Sequence, residues 1–138
     1  LEFRRVLFRS LVLNGPLGAG KTTLTRGIGE SLQTEGTVSS PTFVIARTHP
    51  ALAERLGEGK SLVHVDAYRL SSPAELDDLD IDFANSIVVV EWARDYIDGI
   101  AEHWLTVNIN REAEDESRLV EIVGSGSRWE GVNIAPLN

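Results

Sequence analysis

Gly15-Pro16-Leu17-Gly18-Ala19-Gly20-Lys21-Thr22 fills every fixed position of the pattern G-x-x-x-x-G-K-[ST], in which backbone amides surround a polyphosphate. A phosphate chain needs several donors close at hand with no side chains in between. Gly15, Gly18 and Gly20 permit that approach, so that successive N–H groups can point inward as an anion nest. Lys21 is then placed to bridge the outer phosphates. Thr22 offers a hydroxyl to magnesium, a hard cation that takes oxygen ligands and few protein groups. Pro16, Leu17 and Ala19 complete the loop, and Thr23 continues it into a helix whose N-terminal dipole favours the same negative charge.

The flanks have the order that such a loop requires. Leu11-Val12-Leu13 is a short apolar run suited to a buried parallel strand. From Lys21 to Leu32 the spacing of Leu24, Ile28 and Leu32 predicts a helix with that face inward, ending near Gly36. Thr37 to Phe43 reads as a turn leading into a strand at Val44-Ile45-Ala46, and His49 to Lys60 as an exposed connection. Ser61 to Tyr68 reads as a strand. Pro73 to Leu79 reads as a short acidic helix, with Ser72 as N-cap and Glu75 completing a capping box. Ile87-Val88-Val89-Val90, the most apolar run, is expected as a central buried strand that ends at Glu91. A short helix at Asp95 to Glu102 and a hairpin of Trp104 to Ile109 with Leu119 to Val123 complete the expectation.

A chain of 138 residues suits one domain with a full core. Cysteine is absent, which excludes a disulfide framework and thiolate metal sites, and no apolar run is long enough for a membrane helix. These features point to a soluble, cytoplasmic protein. The net charge of −8 argues against an unaided grip on nucleic acid, because neutralisation of phosphates by Lys and Arg supplies most of that affinity. Residues 1–10, with Arg4, Arg5 and Arg9 in an otherwise acidic chain, read as a non-native segment, a short targeting peptide being the other reading. Residues 11–124 are expected to form the domain and 125–138 a loosely held tail.

In open α/β sheets ligands bind outside the carboxyl ends of the strands, where Gly15, Asp66 and Glu91 all fall. Asp66 follows Leu62 to Val65 as a Walker-B-type acid would, able to hold magnesium through water or to orient an attacking water; a solvated strand-end acid is the alternative. Glu91 after four apolar residues is an expensive place for a charge unless a cation or donor meets it. Thr42, in Ser39-Ser40-Pro41-Thr42-Phe43, has the setting of a switch threonine or of an ordinary turn hydroxyl. Trp92 is expected to pack in or beside the site, and His64 reads as a core or surface histidine rather than a ligand. Asp78, Asp80 and Asp82 have a calcium-loop rhythm, but Phe83 stands where that loop needs glycine, which leaves a solvated acidic surface. A guanine-reading Asn/Thr-Lys-x-Asp motif is missing, since the lysine besides Lys21 is Lys60 in Gly59-Lys60-Ser61-Leu62. Adenine is the default base.

With those residues in place, the chain resembles the TsaE family, small ATPases of bacterial tRNA threonylcarbamoyladenosine biosynthesis. The resemblance rests on Gly15 to Thr23, Ser40-Pro41-Thr42-Phe43, His64-Val65-Asp66-Ala67-Tyr68-Arg69-Leu70 and Val90-Glu91-Trp92, in the family's order, over about residues 11–124. It implies an α/β fold: a P-loop NTPase-like three-layer sandwich with a mixed, mainly parallel sheet and a C-terminal antiparallel hairpin. It also implies slow hydrolysis of ATP with Mg2+, in support of TsaD and TsaB, with tRNA reached only through that complex. By the same resemblance Lys21 contacts phosphates, Thr22 and Glu91 hold magnesium, Asp66 supports hydrolysis, Thr42 lies in a switch-like loop and Trp92 sits near the nucleotide. Two positions depart from the family: Pro16 stands where many members have Asp, and Asp80 where they have glycine. A small-molecule P-loop kinase is the first rival, weakened by the scarcity of cations between Arg94 and Arg118, where only Arg111 lies. A nucleotide-binding regulatory module without turnover is the second.

Overall fold

The computed structural model describes residues 10–38, 45–51, 60–93, 96–98, 101–111 and 116–132. Its strands are β1 (Ser10–Asn14), β2 (Ala46–His49), β3 (Ser61–Asp66), β4 (Ser86–Glu91), β5 (Trp104–Arg111) and β6 (Arg118–Ser125), and its helices α1 (Lys21–Ser31) and α2 (Pro73–Asp77). The six strands form one sheet in the order β2-β3-β4-β1-β5-β6. β3, β4, β1 and β5 run parallel, while β2 and β6 pair antiparallel at the two edges. The expected hairpin is therefore β5–β6, and β4 is central and buried along its whole length.

Alternation along the parallel strands builds two apolar layers. Leu11, Leu13, Leu62, Ile87, Val89, Leu105, Val107 and Ile109 face the side covered by α1; Val12, Val63, Val65, Val88 and Val90 face Leu70, Leu76 of α2, Tyr96 and Ile97. Burying each Leu, Ile or Val of these layers contributes about 1.5–3 kcal/mol. Near the C-terminus Trp129, in a short 3-10 turn at Ser127–Trp129, packs against the α1-side core. The segment expected as a loose tail thus contributes to the interior as far as that residue.

Several local expectations are corrected. The face of α1 that is fully buried is Lys21, Thr25 and Gly29, whereas Leu24 is 36% exposed and Ile28 and Leu32 are only partly buried. Gly29 explains the choice, because a β-carbon there would stand 2.8 Å from Val38 Cγ2. Thr25 satisfies its hydroxyl inside the helix by donating to the Lys21 carbonyl at 2.9 Å. The left-handed residue that ends α1 is Gln33 (φ 55°) and not Gly36. The Gln33 and Thr34 amides turn back to the carbonyls of Glu30 and Gly29, which satisfies two of the acceptors in the last turn. At α2 the Ser72 hydroxyl accepts from the Glu75 amide, as expected, but the Glu75 carboxylate reaches past Ser72 to the amide and hydroxyl of Ser71. Those two bonds, the backbone one foremost, hold the Glu75 carboxyl below its ordinary range. Between Asp95 and Glu102 the described residues form turns and an isolated Asp98–Ala101 bridge in place of a helix. Asp80 takes up a left-handed conformation (φ 51°), one that glycine enters freely and Asp tolerates.

Candidate nucleotide site

β1 is flanked by β4 and β5, so the loop that leaves it starts from a strand paired on both sides. Gly18 and Gly20 adopt φ 77° and 113°, which side chains with a β-carbon rarely enter. Those turns bring the chain back over β1 into α1, and Gly20 is the N-cap with no side chain covering the helix end. The dipole at the uncapped N-terminus of α1 therefore favours an anion at the mouth of the loop. Arg118 of β6 braces the loop from outside by donating to the Ala19 carbonyl at 3.1 Å. That contact joins residues 99 positions apart and has no signature in the local sequence.

Lys21 is 6% exposed, and its Nζ donates to the carbonyls of Gly15 at 2.7 Å and Pro16 at 3.0 Å. The same ammonium lies 4.3 Å from the centroid of the Trp92 ring, a cation–π contact worth about 0.5–2 kcal/mol. Trp92 holds a left-handed backbone (φ 59°), a conformation that costs a bulky residue on the order of 1–2 kcal/mol. Its ring meets Tyr68 edge-on at 5.5 Å. Trp92 was expected beside the site, and it forms one wall.

The acids sit at matched positions on neighbouring strands: Asp66 of β3 is in register with Glu91 of β4, so both side chains leave the sheet on the α1 side. Asp66 accepts the Tyr68 amide at 3.0 Å, which fixes the turn after β3. Glu91 is 3% exposed, yet it is met by two donors: Thr22 Oγ1 at 3.3 Å and His64 Nε2 at 2.9 Å, both on Oε1. Leu17, Gly18, Gly20, Lys21, Thr22, Thr23, Asp66, Tyr68, Glu91 and Trp92 line a single cavity of about 550 Å³. Gly15, Pro16 and Ala19 build the loop from behind. Thr42 lies outside the described residues. His64, read from the sequence as a core or surface histidine, is buried in the core; its place two residues before Asp66 puts it on the same face of β3, and the β3–β4 register brings Glu91 to that face as well.

A magnesium ion fits this donor set. Thr22 and Glu91 are hard oxygen donors already in contact, and Asp66 lines the same cavity. Among the described residues no group of three or more His, Cys, Asp or Glu could cage a metal. The protein share would be small, as suits an ion that keeps phosphate and water ligands.

A loop of this form between the central strand of a mainly parallel sheet and its covering helix defines the class of P-loop NTPase-like α/β proteins. The profile of the family described as threonylcarbamoyl adenosine biosynthesis protein TsaE matches residues 2–120. The chain is 48% identical to the tRNA threonylcarbamoyladenosine biosynthesis protein TsaE of Streptomyces coelicolor, over 92% of this chain and 87% of that one. It is 35% identical to the protein of the same description from Bacillus subtilis, over 87% and 72% of the two chains. The crystal structure of Bacillus subtilis YdiB superposes with a TM-score of 0.63 at 26% identity, covering 94% of this chain and 78% of that one. The chain belongs to the TsaE family. No helix among the described residues is long and apolar enough to cross a membrane.

Proposed function

We propose that this protein binds ATP with Mg2+ in the cavity between the loop and the ends of β3 and β4, hydrolyses it slowly, and thereby serves threonylcarbamoylation of tRNA adenosine together with TsaD and TsaB in the cytoplasm. The observation that carries the reading is the convergence of Lys21, Thr22, Asp66 and Glu91 on one cavity at the mouth of the phosphate loop. The loop amides and the α1 N-terminus bind the phosphate oxygens. Lys21 exchanges its loop carbonyls for the outer phosphates and keeps its place by resting on Trp92. Thr22 and Glu91 would hold a magnesium ion, whose chemistry there would be to neutralise negative charge on the phosphates. Asp66, one strand away and only half-buried, is placed to orient the attacking water. The acidic chain, at a net charge of −8, supports a role that reaches tRNA through partner subunits.

The test is ATP hydrolysis by the wild type and by Asp66→Ala and Glu91→Ala, each with and without TsaB and TsaD. We expect low turnover alone, stimulation by the partners, and a fall on the order of 100-fold in either variant. Equal turnover in wild type and variants would sink the assignment of the acids. Phosphorylation of a small acceptor faster than hydrolysis would replace it with a kinase.

A further inference from the structure

His64 is completely buried in the middle of β3, and the sheet supplies no apolar reason for it: its neighbours on the same face are Leu62 and, across the strand gap, Val89. Its Nε2 lies 2.9 Å from Glu91 Oε1, while Nδ1 is buried with no partner among the described residues. A carboxylate oxygen can only accept, so Nε2 carries the hydrogen. This histidine is thus a one-directional donor, aimed at one oxygen of one side chain.

That oxygen also accepts the Thr22 hydroxyl at 3.3 Å. Oε1 of Glu91 is held from two sides, and Oε2 has no hydrogen-bond partner among the described residues, although Glu91 lines the cavity. A carboxylate on a long, rotatable side chain would otherwise sample several orientations. We infer that His64 is a positioning residue: it clamps Oε1 of Glu91 so that the carboxylate, and with it the Thr22 hydroxyl, is presented to the metal of a bound magnesium nucleotide in one orientation. His64 does not itself line the cavity. The inference rests on the magnesium–ATP reading of the cavity, and partners that orient a metal-binding side chain in this way are typically worth 10–100-fold in metal affinity.

The experiment compares full-length wild type, His64→Leu and His64→Gln, the glutamine amide being able to donate near the position of Nε2. ATP affinity is measured by titration calorimetry in EDTA and again with saturating Mg2+. The expected result is metal-free affinity within about twofold across the three proteins, a magnesium-dependent gain reduced about 10-fold or more in His64→Leu, and most of that gain recovered in His64→Gln. An unchanged gain in His64→Leu overturns the role and leaves the nucleotide reading standing. Equal losses with and without metal, or a glutamine variant no better than leucine, reduce His64 to a packing residue and also overturn it. A nucleotide-free check separates the two layers: the His64 Nε2–H resonance in the wild type should move or vanish in Glu91→Ala. A resonance that responds in a chain binding no ATP supports the clamp and sinks the nucleotide reading. One that does not respond shows that the clamp is not formed.

Discussion

Gly27 and Gly29 lie two residues apart in α1, and alanine at each separates the helix's own preference from its packing. In a helix interior alanine is favoured over glycine by about 0.8–1.0 kcal/mol. At Gly27 an added β-carbon meets nothing within 4 Å. Gly27→Ala should therefore raise stability by about 0.5–1 kcal/mol. At Gly29 the same carbon would stand 2.8 Å from Val38 Cγ2, 3.1 Å from Thr34 Oγ1 and 3.4 Å from Leu62 Cδ2. Non-bonded carbons settle at about 3.5–4.0 Å, so the helix and Val38 must part by roughly 0.7 Å or more. Overpacking of a filled interior costs typically about 1–3 kcal/mol, which exceeds the propensity gain and leaves Gly29→Ala less stable by roughly 0.5–2 kcal/mol. In a domain of this size 1 kcal/mol is about 3–5 °C, so thermal unfolding should place the two variants on opposite sides of the wild type. Urea midpoints with an unchanged slope would show that stability itself had moved. A Gly29→Ala protein as stable as Gly27→Ala would refute the packing of α1 through its Lys21–Thr25–Gly29 face.

Gly15→Ala should act on the site directly, since its β-carbon would lie 2.6 Å from the Ile109 carbonyl, which β5 holds rigidly between β1 and β6. The loop must yield, and ATP affinity should fall on the order of 10-fold or more by calorimetry; an unchanged affinity would show that the loop tolerates the displacement. Gln33→Gly and Asp80→Gly remove side chains from left-handed backbone at φ 55° and 51°. Each should raise stability by about 0.5–1 kcal/mol, seen as a higher unfolding midpoint, and a loss in either would mean that the side chain itself holds the turn. Glu75 has its carboxyl held low by Ser71, so the unfolded chain binds the extra proton more readily. Its support for the α2 terminus is complete above the ordinary glutamate range of about 4.3 and is lost as pH falls through the lower folded value. Protection of the Ser71 amide, taken relative to the intrinsic exchange rate at each pH, should fall on that acidification, and Glu75→Gln should abolish that dependence.

The loop, the parallel strands and the edge hairpin were legible because each is written locally, in a glycine pattern or an apolar run that one strand must bury. The inward face of α1 was not. Periodicity finds the greasiest stripe, Leu24, Ile28 and Leu32, whereas close approach to the sheet selected the smallest residues, with Gly29 letting the helix sit against Val38 and Leu62. The helix stop misled for a related reason: Gly36 is the residue best suited to a left-handed bend, but Gln33 is where the hydrogen bonds to Gly29 and Glu30 fall due. Asp66 and Glu91 could be placed at strand ends from the apolar runs that precede them. That they stand in register, with His64 on the same face, depends on β3 and β4 being neighbours, a pairing between segments far apart in the chain. The 99-residue span from Ala19 to Arg118 hides the brace on the loop in the same way.

The position of β1 has a consequence for biosynthesis. It is the first described strand, yet both of its partners come much later, β4 ending at Glu91 and β5 at Arg111. A ribosome adding about 5–20 residues per second needs roughly 4–15 s between completing β1 and completing β4. Throughout that interval Leu11, Val12 and Leu13 have no strand to lie against, so the phosphate loop cannot acquire its shape as it emerges. This nascent chain cannot form its ligand-binding end until nearly the last of its sheet has been made, and a truncation within β5 should abolish the site although every loop residue is present.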